Sequence, residues 1–351
     1  MSKPYAPPYT LTSAFVHRVA DICEALGRLA RELDANALKL RRINRIQTIQ
    51  GSLAIEGNTL DVAQITAILD GKRVIAPPRQ IQEVRNAIKA YDRLLPIAGP
   101  DQTGSGQAGL DQTSTPPWCA DSETDLLSAH EVLMTGLLDA PGHYRDGGVG
   151  VMAGKQVIHM APPASRVPTL MRDLLAWLRS TREHPLIASA VFHYEFEFIH
   201  PFADGNGRMG RLWQSLILSS WQSAFAQIPV ESLIYEHQQA YYDAIQQSTQ
   251  NADSAVFIEF MLEMISKALP ASTPQVSQQV SPQVVELIRV LVGEMAREQI
   301  QAALGLRDRK SFTARYLKPA LAAGLIETTR PDQPTSRLQK YRLSRAGALF
   351  A

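Results

Sequence analysis

The chain has 351 residues, 45% of them hydrophobic and 20% charged, with a formal net charge of +1. That length allows two domains or one large domain with an appendage, and the composition excludes both a disordered and a membrane-embedded chain. Cys23 and Cys119 are too few for a disulfide framework and lack zinc spacing, so both are expected as free thiols. The amino terminus has no apolar leader and no stretch approaches the roughly 18 apolar residues of a membrane span, so the expected location is cytoplasmic. From Gln283 onward twelve Lys/Arg face six Asp/Glu, which gives this tail +6 and leaves −5 for the rest. The split suggests an acidic body carrying a basic module, a footprint of nucleic-acid contact.

Taken in chain order, Phe15, Val19, Ile22 and Leu26 recur three or four apart and predict an amphipathic helix. A second helix is expected from Asn36 to Ile55, stopped by Gly57-Asn58, and a third from Arg79 to Leu95 after Pro77-Pro78. Residues 1–95 thus form an amino-terminal helical region. Residues 96–121, rich in Gly, Pro, Ser and Thr, read as a flexible insertion. Helical pattern returns from Glu123 to Leu138, followed by a hairpin with runs at Val149–Met152 and Val157–Ile158 around Gly154-Lys155. Further helices are predicted at Arg166–Ser180, Pro185–Ile199, Gly207–Ser220, Glu231–Gln247 and Ser254–Ala268, so that 122–269 makes a helical core. A linker, 270–282, leads to the basic region 283–351, with helices at Val284–Leu291, Glu294–Leu304 and Lys310–Leu321 and strands at Leu325–Arg330 and Leu338–Leu343.

The chemistry concentrates in HPFADGNGRMGR, His200 to Arg211. Pro201 disfavours helical geometry at His200, so the histidine closes the apolar helix Pro185–Ile199 and stands on a loop edge. It is the one side chain of the segment able to take a proton from a hydroxyl near neutral pH. Phe202 is expected to pack inward. Gly205, Asn206 and Gly207 open the next helix, where unpartnered N–H groups and a positive dipole cradle anions, and Arg208 and Arg211 add two cations on one side of the first turn. Asp204 suits an N-cap and, in turn, a hard-oxygen ligand for Mg2+ against the phosphates. His130 and His193 read as core or surface histidines.

The segment resembles the signature of the Fic family, with every specified position filled. The resemblance implies a mainly α fold, with a Fic-type helical core and a short β-hairpin flap. It implies AMP transfer from ATP to a Ser, Thr or Tyr hydroxyl of a target protein or of the chain itself, with His200 as base, Asp204 on magnesium and Gly205, Asn206, Gly207, Arg208, Met209, Gly210 and Arg211 around the phosphates. Gly207 stands where phosphotransferase relatives, the Doc toxins, carry lysine, which favours adenylylation. His143-Tyr144-Arg145 lies where relatives carry a Tyr-Arg pair, the flap near Val149–His159 would pair with the target's backbone, and Tyr242 matches an aromatic position near adenine. The family's downstream asparagine is out of register, with Thr249 or Gln250 near it.

Ser52, Glu56 and Gly57 in SLAIEGN resemble the family's amino-terminal inhibitory motif. Glu56 opposes the dipole at a helix end, so a partner is expected elsewhere, and the resemblance names Arg211. The same glutamate allows the converse reaction, a de-adenylylating hydrolase. The basic tail resembles a small winged-helix domain, with Arg309, Lys310, Arg315, Lys318, Arg330 and Arg337 suited to DNA phosphates or, alternatively, to a protein or second subunit. A DNA-binding regulator with a nucleotide-sensing core is the other reading, and the family leaves room for a homodimer.

Overall fold

The computed structural model describes residues 5–32, 37–94, 118–153, 156–272, 282–306, 308–322, 325–329 and 339–344. Most of the 96–121 insertion, the turn at Gly154-Lys155, most of the 270–282 linker and the positions of Arg330 and Arg337 lie outside them. The chain divides into two compact units, Met1–Thr273 and Pro274–Ala351.

The first unit is helical: α1 (Ser13–Glu32), α2 (Ala37–Ile55), α3 (Val62–Leu69), α4 (Pro78–Asp92), α5 (Glu123–Met134), α6 (Val167–Ser180), α7 (Pro185–Ile199), α8 (Asn206–Trp221), α9 (Val230–Glu236), α10 (Gln238–Asn251) and α11 (Ala255–Ser272). Among its described residues one hairpin, β1 (Gly150–Ala153) with β2 (Gln156–Met160), is antiparallel and changes register between Val151 and Met152. No helix among the described residues is long and apolar enough to cross a membrane.

At the centre is α7. Pro185 fills its first position, where the absent N–H costs nothing, and His184 Nδ1 caps it by accepting from Leu186 N. Its faces enter two hydrophobic clusters. Phe192, Phe196 and Ile199 pack with α2, α4, α5 and α8, whereas Leu186, Ala190, Val191 and Tyr194 pack with α1, α10 and α11. Helix α2 belongs to the same interior, with Ile46, Ile49 and Leu53 in the first cluster and Ile55 in the second. Gly51 lets α2 approach α9 closely, since a Cβ there would fall 2.7 Å from the Glu231 carbonyl and Ser232 N.

In the first unit the helix expected at Glu123–Leu138 stops at Met134, and three further elements differ from the sequence reading. Helix α3, not anticipated, is opened by a capping box in which Asp61 accepts from Gln64 N and the Gln64 side chain accepts from Asp61 N. The expected helix Glu231–Gln247 is instead two helices, α9 and α10, broken at His237, where φ is −114° and ψ 32°. The last helix runs past Ala268 to Ser272.

The second unit contains α12 (Pro282–Val290), β3 (Met295–Ala296), α13 (Arg297–Ala303), then α14 (Arg309–Phe312) and α15 (Lys318–Ala322) joined by a π-helical turn at Thr313–Leu317, and finally β4 (Ile326–Thr328) and β5 (Lys340–Leu343). The strands form an antiparallel sheet in the order β3-β5-β4 around a core of Leu287, Ile300, Phe312, Leu325 and Tyr341. Strand β3, two residues long, was not expected from the sequence.

Candidate active site

Helix α7 ends at His200, whose backbone is left-handed with φ 51° and ψ 62° and whose N–H donates to Phe196 O at 2.9 Å. A non-glycine residue in this region carries a conformational cost of roughly 1–2 kcal/mol. What holds it is Arg145. Its buried guanidinium donates from Nε to His200 O (2.7 Å), from Nη1 to Gly147 O (2.7 Å) and from Nη2 to Pro162 O (2.5 Å) and Ile199 O (3.3 Å), while its own N–H donates to Pro201 O (2.9 Å). One side chain thus ties the end of α7 to the segments entering and leaving the hairpin.

The loop after His200 is closed from inside. Phe202 is fully buried, worth about 1.5–3 kcal/mol, and stacks on His130 with ring centroids 3.6 Å apart and planes at 3°. His130 Nδ1 accepts from Gly142 N (2.8 Å), which leaves the proton on Nε2 for Asp204 O (3.0 Å). Burial keeps this imidazole neutral, pushing its pKa down to about 4. Asn206 turns inward, its Oδ1 accepting from Phe202 N (2.9 Å) and its Nδ2 donating to Phe202 O (2.8 Å). Gly205 caps α8 at φ 84°, where a Cβ would also lie 2.7 Å from Met134 Sδ. The first intrahelical bond is Met209 N to Gly205 O (3.0 Å), so the N–H groups of Asn206, Gly207 and Arg208 precede every helical acceptor.

Of the positions Gly205 to Arg211, expected around the phosphates, three offer a ligand no side chain. Asn206 staples the loop, Met209 is fully buried in the first hydrophobic cluster, and Gly210 makes room for Glu197, whose Oε1 would lie 2.8 Å from a Cβ there. What these positions leave for a ligand is backbone.

Around the cradle, every motif charge has a counter-charge from the amino-terminal helices. Arg211, 1% exposed at its side chain, donates from Nη2 to Glu56 Oε1 (2.7 Å) and Ser52 O (3.0 Å) and from Nε to Ser52 Oγ (3.3 Å). Burial works against its charge, but Glu56 more than offsets this and holds the guanidinium above its ordinary range. Glu56 directly follows Ile55, the last residue of α2. Gly57, at φ 86°, ends the helix, with Gly57 N donating to Ala54 O (3.0 Å) and Asn58 N to Leu53 O (3.1 Å). Gly207 faces this carboxylate, and a Cβ on it would collide with Glu56 Oε1. Arg208 lies 3.0 Å from Asp204 Oδ1 and 3.7 Å from Glu83 Oε1.

His200 Nδ1 lies 4.0 Å from Glu197 Oε2. Burial raises the Glu197 carboxyl to about 8, partly opposed by Arg211. Behind it, His193 donates from Nδ1 to Gln214 Oε1 (2.6 Å) and accepts from Tyr241 OH (3.1 Å); burial pushes its pKa down to about 3. Tyr242 is half-buried beside Tyr241, and its hydroxyl accepts from Gln238 Nε2 (3.4 Å), which also donates to Ile55 O (2.9 Å). Thr249 is turned onto Ile245 O (2.9 Å) and Tyr194 (3.1 Å). The sequence reading gave Arg145 and His130 no role in shaping the loop; apart from Gly147, two residues from Arg145, their partners are 12 to 74 residues away and leave no local signal.

Chemically, the arrangement offers a base at a helix end, an anion cradle and two guanidinium groups. Among the described residues no cluster of three or more His, Cys, Asp or Glu could hold a metal ion unaided. A cation here would rely on phosphate and water for its remaining ligands, which fits the lone carboxylate of Asp204, 41% exposed beside the helix N-terminus.

Residues 120–218 match the model of the Fic/DOC family, and residues 282–344 match that of the Filamentation induced by cAMP protein Fic-like, C-terminal domain. The crystal structure of a Fic family protein from Desulfovibrio desulfuricans G20 is 49% identical, with 97% of this chain and 99% of that one covered and a TM-score of 0.68. Protein adenylyltransferase Fic of Culex quinquefasciatus is 27% identical over 243 residues, covering 68% of this chain and 43% of that protein. The Aedes aegypti protein of the same name is 26% identical over 283 residues, covering 75% and 51%. The chain spans about half the length of the curated relatives it matches.

Proposed function

The chain belongs to the Fic family, and from that premise we propose that it is a protein adenylyltransferase held at low activity by Glu56. The observation that carries the reading is the joint placement of His200 at the end of α7 and three first-turn N–H groups of α8 just beyond it.

In this mechanism a target Ser, Thr or Tyr hydroxyl, its backbone added to the β1–β2 hairpin, gives its proton to His200. Its oxygen forms a bond to the α-phosphorus of ATP as the bond from that phosphorus to the bridging oxygen breaks. Diphosphate leaves with its charge held by the N–H groups of Asn206 to Arg208 and by the two guanidinium groups. Asp204 would hold Mg2+, which, when bound, neutralises charge building on the leaving phosphates. Tyr242 packs by the adenine. With Arg211 on Glu56 the γ-phosphate lacks its guanidinium, and ATP lies unproductively.

Intact-mass measurement of the full chain with ATP and Mg2+ tests this. Glu56→Gly should raise AMP incorporation by about tenfold to a hundredfold, the worth of one charge-assisted buried hydrogen bond, and His200→Ala in that background should abolish it. No AMP on Glu56→Gly, either on itself or on any protein of a cell extract, overturns the reading. The two free cysteines support action in the cytoplasm.

A second reading concerns residues 282–344, where a helix, a strand, a helix, the joined stretch α14–α15 and two strands follow one another, an order that supports a winged helix. Arg309, Arg315 and Lys318 are exposed on its third helical stretch, which supports contact with DNA phosphates. A gel shift absent at low salt removes it.

A further inference from the structure

Helix α4 carries a feature that the transfer mechanism leaves unused. Arg79 is its second residue, in the first turn, where a cation opposes the helix dipole and the N–H groups already supply positive charge. Its side chain is 57% exposed, so burial does not explain its position either. The partners do. Nη2 donates to Asp204 Oδ2 (3.2 Å), Nη1 to Leu137 O (3.4 Å), and Nε lies 3.5 Å from Glu83 Oε1.

The two oxygens of Asp204 differ in what they touch. Oδ1 belongs to the motif itself, accepting from Gly205 N (2.6 Å) and Arg208 Nη2 (3.0 Å). Oδ2 is the oxygen to which Arg79 is bonded. Glu83, one turn along α4, also lies 3.7 Å from Arg208 and accepts from Asn58 Nδ2 (2.8 Å), so the arginine hangs from a fixed carboxylate.

We propose that Arg79 is the resting occupant of the cation position on Asp204, so that a divalent ion gains this ligand only by exchange with a guanidinium supplied by α4. The inference rests on the reading of Asp204 as the metal ligand. Arg79 gives up Oδ2, keeps Glu83, and turns its remaining donors to water, which its exposure allows. The exchange is cheap, because an exposed ion pair is worth little in water. Arg79 is therefore a positioning residue that sets how much divalent cation the site requires.

The test uses the full chain, Mn2+ as the probe and an ATP analogue with a methylene bridge between the α- and β-phosphates, which cannot transfer AMP. Titration calorimetry gives the affinity for the analogue with Mn2+ and with EDTA, and the Mn2+ spin-resonance signal reports the bound ion. Arg79→Met should tighten the Mn2+ complex about two- to fivefold, the worth of one exposed pair, while metal-free binding is unchanged or weaker. Arg79→Lys should stay within about twofold of the native protein. If Asp204→Asn removes the advantage of Mn2+ but Arg79→Met leaves the Mn2+ complex unchanged or weaker, the exchange is wrong while the ligand stands. If Asp204→Asn leaves the advantage of Mn2+ intact, the ligand assignment fails and takes the exchange with it.

Discussion

Arg145 shows how much of a candidate active site can depend on a side chain whose partners are backbone carbonyls. Four carbonyls point at its guanidinium, from Ile199 and His200 at the end of α7 and from Gly147 and Pro162 on either side of the hairpin. Arg145→Ala would strand these acceptors at a buried position, so a loss of about 2–4 kcal/mol is expected in denaturant unfolding. Arg145→Lys should recover less than half of it, because an ammonium cannot span the fork. Nothing in the sequence around Arg145 announces this. The loop's punctuation was legible, since Pro201 ends α7 at His200 and Gly205 opens the next helix; the left-handed backbone of His200 was not, because a proline pushes the residue before it toward extended geometry. Nor was the inward turn of Asn206. A small polar residue at a helix start reads equally well as ligand or staple, and only the closeness of Phe202 decides.

Among the elements, α2 matters most, for Glu56 directly follows its last residue and it is built into the interior. Its contact with α9 at Gly51 leaves no space for a methyl group, and the obstructing atoms are backbone. Gly51→Ala should therefore shift α2 outward and cost about 1–3 kcal/mol. The same shift carries Glu56 away from Arg211, so melting temperature should fall while basal AMP incorporation rises. A fall in both would mean that the displaced helix still holds the arginine. The end of α2 was readable from Gly57-Asn58, and the hairpin from its two apolar runs. The break between α9 and α10 had no glycine or proline to mark it. There the chain turns because α9 packs on α2 while α10 ties to it through Gln238, a demand of tertiary contact that periodicity does not encode.

For the whole molecule, three buried groups set opposing pH trends. His130 and His193 are neutral in the fold with pKa values near 4 and 3 against an ordinary 6.5. The unfolded chain takes up protons first, and stability is lost as pH falls from about 6.5 toward 4. Glu197 acts in the other direction. Its carboxyl keeps its proton to about 8 against an ordinary 4.5, so the fold binds the extra proton and stability is lost as pH rises through that window. Thermal melts at pH 6.5 and 8.5 should show a smaller drop for Glu197→Gln than for the native chain; equal drops would mean that Glu197 is already ionised.

The shared interior of the first unit has a consequence for descent. The segment that matches the Fic/DOC family, residues 120–218, contributes only part of the cluster that contains Phe202 and Met209; Ile46, Ile49, Leu53, Val84 and Ala90 come from α2 and α4. Cut out alone, that segment would present a large apolar face to water. A recombination that separated this segment from α2 and α4 would expose that face and part Arg211 from Glu56 in the same step.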